Sequence, residues 1–233
     1  MSKGLFQFKQ FAIQQDKSAM KVGTDGVLLG AWLNVSSNPY RILDIGSGTG
    51  LIALMMAQRT HAEFIDAVEL NASAYEQTVE NFEASDWGDR LFCYHASFQE
   101  FADEIEDKYD LIISNPPFYS TTFTNASKDR TMARHTISLS YTELLEGTAK
   151  LLSKSGACVF IIPFIEEEGF IEIAKKFDLV PNGITHVKGN RNTEIKRSLM
   201  QFSFFEKGPD LAELDIEISR HIYTEPYKNL VKD

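Results

Sequence analysis

The sequence predicts an α/β fold: a mostly parallel sheet of seven strands with helices on both faces. Three observations carry that prediction. From residue 41 onward short apolar runs alternate with amphipathic stretches, the pattern of a parallel sheet covered on both sides. The first run ends in a cluster of glycines, as buried strands feeding a helix often do. The chain has 233 residues, 43% of them hydrophobic, enough for one such sheet and its helices.

Each element has its own signal. Residues 41–45 are a short apolar strand and 51–59 the helix after it. Residues 64–70 form a second strand, and Asn71 caps a helix over 71–84. Residues 91–94 and 111–114 are strands three and four. Ser140 and Glu143 make a capping-box pattern ahead of Leu144, Leu145, Thr148, Leu151 and Leu152, which recur at helical spacing. Gly156 is expected to end that helix before a fifth strand at 157–162. Phe170, Ile173, Ala174 and Phe177 mark one apolar helix face, and 183–188 and 198–205 are the last two strands, paired like a hairpin. Leu214, Ile216 and Ile218 alternate like a short edge strand. Residues 1–40 precede the sheet as an N-terminal extension, with a helix over 23–32 capped by Thr24, and 41–233 form the main domain.

Composition narrows the class of function. No run approaches the roughly 18 apolar residues of a bilayer span, and the N-terminus lacks the apolar core of a signal peptide. Cys93 and Cys158 lack metal-ligand spacing and read as reduced core thiols, so no metal is expected and the compartment is the cytoplasm. The net charge of −10 opposes a nucleic-acid partner on its face. Residues 100–110 alone hold six carboxylates and one lysine, half of that excess. Lys128, Arg130, Arg134 and His135 cluster elsewhere, as do Lys188, Arg191, Lys196 and Arg197, so two basic segments remain as candidate RNA contacts.

The sharpest motif is Asp44-Ile-Gly46-Ser-Gly48-Thr-Gly50, between the first strand and the first helix. Glycines there let a ligand approach backbone at the carboxyl end of a parallel strand. The spacing departs from the G-x-G-x-x-G of a pyrophosphate site and suits a smaller zwitterion. Glu69 lies at the end of the second strand, where a carboxylate can accept from both ribose hydroxyls. Together these elements resemble the Rossmann-like class I S-adenosylmethionine-dependent methyltransferases. The resemblance implies S-adenosylmethionine as cofactor. It places Asp44 and Gly46 against the methionine part, with Gly48 and Gly50 completing the loop, Glu69 on the ribose, and Ser97 and Phe98 near the adenine.

Strand four ends in Ser114-Asn115-Pro116-Pro117-Phe118. The prolines restrict their own φ and the residue before each, which holds the Asn115 side chain and the Pro116 carbonyl in place. An exocyclic amine is a poor nucleophile because its lone pair is delocalised into the ring. Two acceptors, the Asn115 amide oxygen and the Pro116 carbonyl, can take both N–H bonds and aim the lone pair at a methyl donor, so positioning and oriented dipoles carry the rate. Phe118 offers a face for a planar base. The signature resembles that of amino-methyltransferases acting on adenine, on guanine N2 or on a protein glutamine amide. Asn115 also borders the cofactor in such enzymes.

The opening at 6–11 and 20–32, the two motifs, and Tyr223-Thr-Glu-Pro-Tyr227-Lys-Asn-Leu230 are similar to bacterial tRNA1(Val) adenine-N6-methyltransferases. That resemblance implies N6-methylation of the adenosine 3′ of the anticodon, and a tRNA partner. It also implies a cofactor lid from the extension, with Lys21, Thr24 and Asp25 as contacts. The polar, mildly basic stretch 119–137 follows the acceptor motif, with Arg130 and Arg134 as phosphate contacts. Glutamine-N5 enzymes usually carry a helical domain in front of the sheet, for which forty residues are too few, and ribosomal guanine-N2 enzymes often carry a duplicated, degenerate domain that this sequence does not show. A catalytically inactive RNA-binding relative would have no need of Asp44, Glu69, Asn115 and Phe118.

Overall fold

The computed structural model describes residues 4–117, 139–206 and 208–232. A hairpin of β1 (Leu5–Gln7) and β2 (Ala12–Gln14) leads into α1 (Thr24–Trp32). The first half of the sheet follows as β3 (Arg41–Ile45), α2 (Leu51–Arg59), β4 (Phe64–Glu69), α3 (Ala72–Glu83), β5 (Leu91–His95), α4 (Phe98–Glu104) and β6 (Tyr109–Ser114). The second half is α5 (Tyr141–Leu151), β7 (Leu152–Pro163), α6 (Glu167–Lys175), β8 (Val180–Asn190) and β9 (Ile195–Ser203). β10 (Asp210–Ser219), β11 (Ile222–Tyr223) and α7 (Glu225–Leu230) complete the chain.

The main sheet runs β11-β10-β8-β9-β7-β6-β3-β4-β5, with β5, β4, β3, β6 and β7 mutually parallel. β9 is antiparallel to both of its neighbours, β7 and β8. The seven expected strands are all present, and β10, which contains the expected edge strand at 214–218, and β11 bring the sheet to nine strands among the described residues. β10 pairs in parallel along β8 from Asp210↔Gly183 to Glu217↔Asn190, and β11 folds back on β10. An unpaired β8 edge would otherwise expose a row of backbone donors and acceptors, and Leu214 opposite Val187 buries its side chain there.

Side chains alternate across the sheet, as strand geometry requires. On β7, Val159 and Ile161 enter the core under α1 and α2, while Cys158, Phe160 and Ile162 enter the core under α4, α5 and α6. Asn71 caps α3 by accepting from the Ala74 N–H at 3.0 Å, and the Ser140–Glu143 capping box forms as expected. Two local expectations fail. Gly23, in extended conformation, is the N-cap of α1, and Thr24 is its first helical residue and exposed. Gly156 does not end a helix: α5 stops at Leu151 and β7 begins at once. Gly156 instead lies beside an irregularity in the β6–β7 pairing, where a Cβ would stand 2.9 Å from the Tyr109 carbonyl oxygen.

Candidate active site

The strand order reverses at β3, which has β4 on one side and β6 on the other. The crevice at the carboxyl ends of those strands is where open α/β sheets take ligands. The glycine loop occupies it. Gly46, Gly48 and Gly50 have φ of 74°, 61° and 77°, the left-handed region that a side chain disfavours. A Cβ on Gly46 or Gly48 would meet nothing within 4 Å, so their free side faces open space. A Cβ on Gly50 would come within 2.7 Å of the Phe82 ring, so here the glycine serves packing.

Asp44 is 1% exposed beneath this loop. Its Oδ2 accepts the Ala53 N–H at 3.2 Å, while its Oδ1 has no partner among the described residues. Burial pushes its carboxyl up to about 7, against a lowering by the Ala53 N–H; the charge of Glu69 raises it further. On the neighbouring strand Asn115 follows Ser114, whose hydroxyl donates to the Ile45 carbonyl at 2.9 Å and fixes the end of β6 against β3. The Asn115 Oδ1 is buried and also unpartnered among the described residues. Buried polar atoms are nearly always paired, so two open acceptors at adjacent strand ends mark a place for a donor-bearing ligand.

Glu69 ends β4 and braces the loop: its Oε2 accepts the Gly48 N–H at 2.9 Å and its Oε1 the Asn71 N–H at 2.8 Å. A carboxylate has about four lone-pair sites, so each oxygen keeps capacity toward the crevice. Leu70 follows, 48% exposed, with its carbonyl accepting from His95 Nε2 at 3.1 Å. The His95 ring stacks on Tyr75 at 5.1 Å.

Residues 21–162 match the methyltransferase small domain family. A Christiangramia forsetii protein named tRNA1(Val) (adenine(37)-N6)-methyltransferase is 57% identical, in an alignment covering all of this chain and 98% of that protein. A Bacteroides fragilis protein of the same name is 42% identical, again across all of this chain and 98% of the relative. The chain belongs to the tRNA1(Val) (adenine(37)-N6)-methyltransferase family. Among solved structures, a predicted O-methyltransferase from Agrobacterium tumefaciens superposes with a TM-score of 0.69 over 90% of this chain and 96% of that one. At 17% identity it speaks for the fold.

As a methyltransferase of this family the protein takes its methyl group from S-adenosylmethionine. The crevice fits that cofactor. The open side of Gly46 and Gly48 leaves room for it, and the bare Asp44 Oδ1 can accept from an ammonium group. Glu69 has acceptors for hydroxyls, and exposed Leu70 offers an apolar surface next to them.

The other sequence-derived site residues of this tRNA1(Val) (adenine(37)-N6)-methyltransferase family member divide. Ser97 is the N-cap of α4, its hydroxyl and backbone joined to Glu100 in a capping box, and Phe98 is core, packed where Gly147 leaves room for its ring. Lys21 turns its ammonium onto the carbonyls of Gln15 and Ser18. Asp25 pairs with Arg197 at 2.9 Å, so these two tie α1 to β9. Lys188 pairs with Glu213 at 2.6 Å. Arg191 and Lys196 are exposed around the β8–β9 turn, and Pro116 is buried. Phe118, Lys128, Arg130 and Arg134 lie outside the described residues. No group of three or more His, Cys, Asp or Glu able to hold a metal occurs among the described residues, and no helix there is long and apolar enough to cross a membrane.

Sequence reasoning missed the polar face of α3. Gln77, Thr78 and Asn81 are fully or almost fully buried. Thr78 donates to the Gly48 carbonyl at 3.2 Å; Asn81 donates to the carbonyls of Thr49 and Gln14, each at 2.8 Å. Gln77 accepts the Lys17 N–H at 2.9 Å. The available signal was that 74, 77, 78, 81 and 82 share one helical face, so polar side chains stand where apolar ones belong.

Proposed function

We propose that this protein methylates N6 of adenosine 37, just 3′ of the anticodon, in a valine tRNA. One observation carries the assignment of the chemistry: the Asn115 Oδ1 is a buried acceptor without a partner among the described residues, at the end of β6 and immediately before Pro116. S-adenosylmethionine supplies a methyl group made electrophilic by its sulfonium. Asn115 and the Pro116 carbonyl accept the two N–H bonds of the adenine amine, draw the nitrogen toward tetrahedral geometry and orient its lone pair. Acceptors that are already in place need no reorganisation as charge develops on nitrogen. Phe118 stacks on the base, and an unpaired loop adenosine is cheap to extrude compared with one in a helix. Glu69 holds the ribose of the cofactor, and Asp44 its ammonium.

The relatives named above support the choice of tRNA; in this reading the N-terminal extension, residues 1–40, serves as a lid on the cofactor or substrate side. Arg191 and Lys196, with Lys128, Arg130 and Arg134, are the phosphate contacts of this reading, and the reaction runs in the cytoplasm, with its substrate. Labelled S-adenosylmethionine with unmodified total tRNA, ribosomal RNA and a release-factor protein in parallel tests it, with products digested and identified by mass. The expected product is N6-methyladenosine in the tRNA sample. N2-methylguanosine in ribosomal RNA or methylglutamine in protein overturns the assignment.

A further inference from the structure

We infer that Phe164 and Ile165 form a stacking platform for the nucleotide flanking the target adenosine, an inference that rests on the tRNA reading above. β6 and β7 are parallel neighbours with Ser114 beside Phe160. Three residues further on, the first chain reaches Pro117 of the acceptor motif and the second reaches Pro163, the end of β7. Phe164 and Ile165 therefore leave the sheet at the same edge as Asn115, on the adjoining strand. Ile165 is 90% exposed, more than any other large apolar side chain among the described residues, and Phe164 is 37% exposed.

Phe164 is held from behind. The Phe164 ring meets His186 edge-on, with centroids 4.9 Å apart. His186 Nε2 lies 2.9 Å from Glu167 Oε2, which also accepts the Ser198 hydroxyl, and Glu166 accepts the Tyr141 hydroxyl. Two acids next to the platform are thus engaged with protein partners. Arg191 and Lys196 are exposed around the β8–β9 turn, and Glu168 and Glu194 are exposed as well.

An apolar surface suits the face of a base rather than a phosphate. Extruding the target adenosine strips its neighbour of one stacking partner, and a ready-made apolar face replaces it without ordering new side chains. The test uses the full chain and an anticodon stem-loop RNA carrying 2-aminopurine on one side or the other of the target adenosine. Binding to the unaltered protein should change the fluorescence at one of the two positions. Phe164→Ala/Ile165→Ser should abolish that change and raise KM for the RNA about tenfold, with cofactor affinity unchanged. Ile165→Ser alone removes an exposed side chain, so folding is retained, and it should give a smaller rise in the same direction. Unaltered KM in both variants, retention of the fluorescence change, or a parallel loss of cofactor affinity overturns the platform. Failure of the unaltered protein to methylate any tRNA overturns the tRNA reading instead.

Discussion

Asn81 and Gln14 bond each other twice: the Gln14 N–H donates to the Asn81 carboxamide oxygen at 2.8 Å, and the Asn81 amide donates to the Gln14 carbonyl at 2.8 Å. The same amide reaches the Thr49 carbonyl in the glycine loop. One side chain, 2% exposed, thereby joins the extension to the glycine loop. Asn81→Leu strands three backbone groups at about 1–3 kcal/mol each if they stay dry, so a clear fall in Tm is expected. Asn81→Asp keeps the acceptor for Gln14 and loses both donations; calorimetry should find weaker S-adenosylmethionine binding even if its Tm drops less.

Asn115→Ala should cut turnover by about two orders of magnitude and leave cofactor affinity nearly intact, because its acceptor matters most as charge develops on nitrogen. Single-turnover rates beside a cofactor titration check this. Near-normal turnover in the variant would end the polarisation mechanism.

Glu69→Ala should weaken S-adenosylmethionine by roughly 1–3 kcal/mol, the scale of a lost charge-assisted partner. It also frees the Gly48 and Asn71 N–H groups, so hydrogen exchange at those amides should speed up in the cofactor-free variant. Unchanged affinity by calorimetry would remove Glu69 from the cofactor site.

Asp44 gives a pH signature of definite sign. Its carboxyl is raised from 3.8 to about 7, chiefly by burial, so the folded state holds a proton that the unfolded state has released. Folding stability from this group is therefore full below about pH 4, declines as pH rises toward 7, and is flat above that. Asp44→Asn should make the decline shallower by this group's share, leaving that of buried Asp66, whose carboxyl burial also raises, as measured by denaturant melts of the cofactor-free protein between pH 4 and 8. If the ionised form receives the cofactor ammonium, affinity in the unaltered protein strengthens as pH rises through 7. A pH-independent affinity would contradict that role.

Gly50→Ala and Gly48→Ala separate packing from binding. Both carry the left-handed cost, about 1–2 kcal/mol for a residue with a Cβ. Gly50→Ala adds a clash with Phe82 and should lower Tm further. Gly48→Ala meets no atom of the described residues within 4 Å, so its additional effect should be on cofactor affinity.

The strands and helices of the main sheet were legible because their cues are local. Two-residue alternation, helical spacing and cap residues such as Asn71 and Ser140 act within a few positions of the chain. The glycine loop and the Asn115–Pro116 motif were legible for the same reason, since φ restrictions belong to the residues themselves. The capping role of Ser97 was legible in the same way: its Ser-x-x-Glu spacing to Glu100 is the capping-box signature also present at Ser140, and both boxes form.

By itself the sequence determined the alternation of elements, the glycine loop after the first parallel strand, and the Asn115-Pro116 turn at the end of the fourth. Tertiary structure decided which charges are already engaged: Arg197 on Asp25 and Lys188 on Glu213, both read from sequence as RNA contacts. It also decided that β10 joins β8, and that Asn81 couples two segments far apart in the chain. These depend on pairings between residues separated by tens to well over a hundred positions. No periodicity records such a pairing, because each partner alone has the pattern of an ordinary exposed ion, edge strand or helix residue.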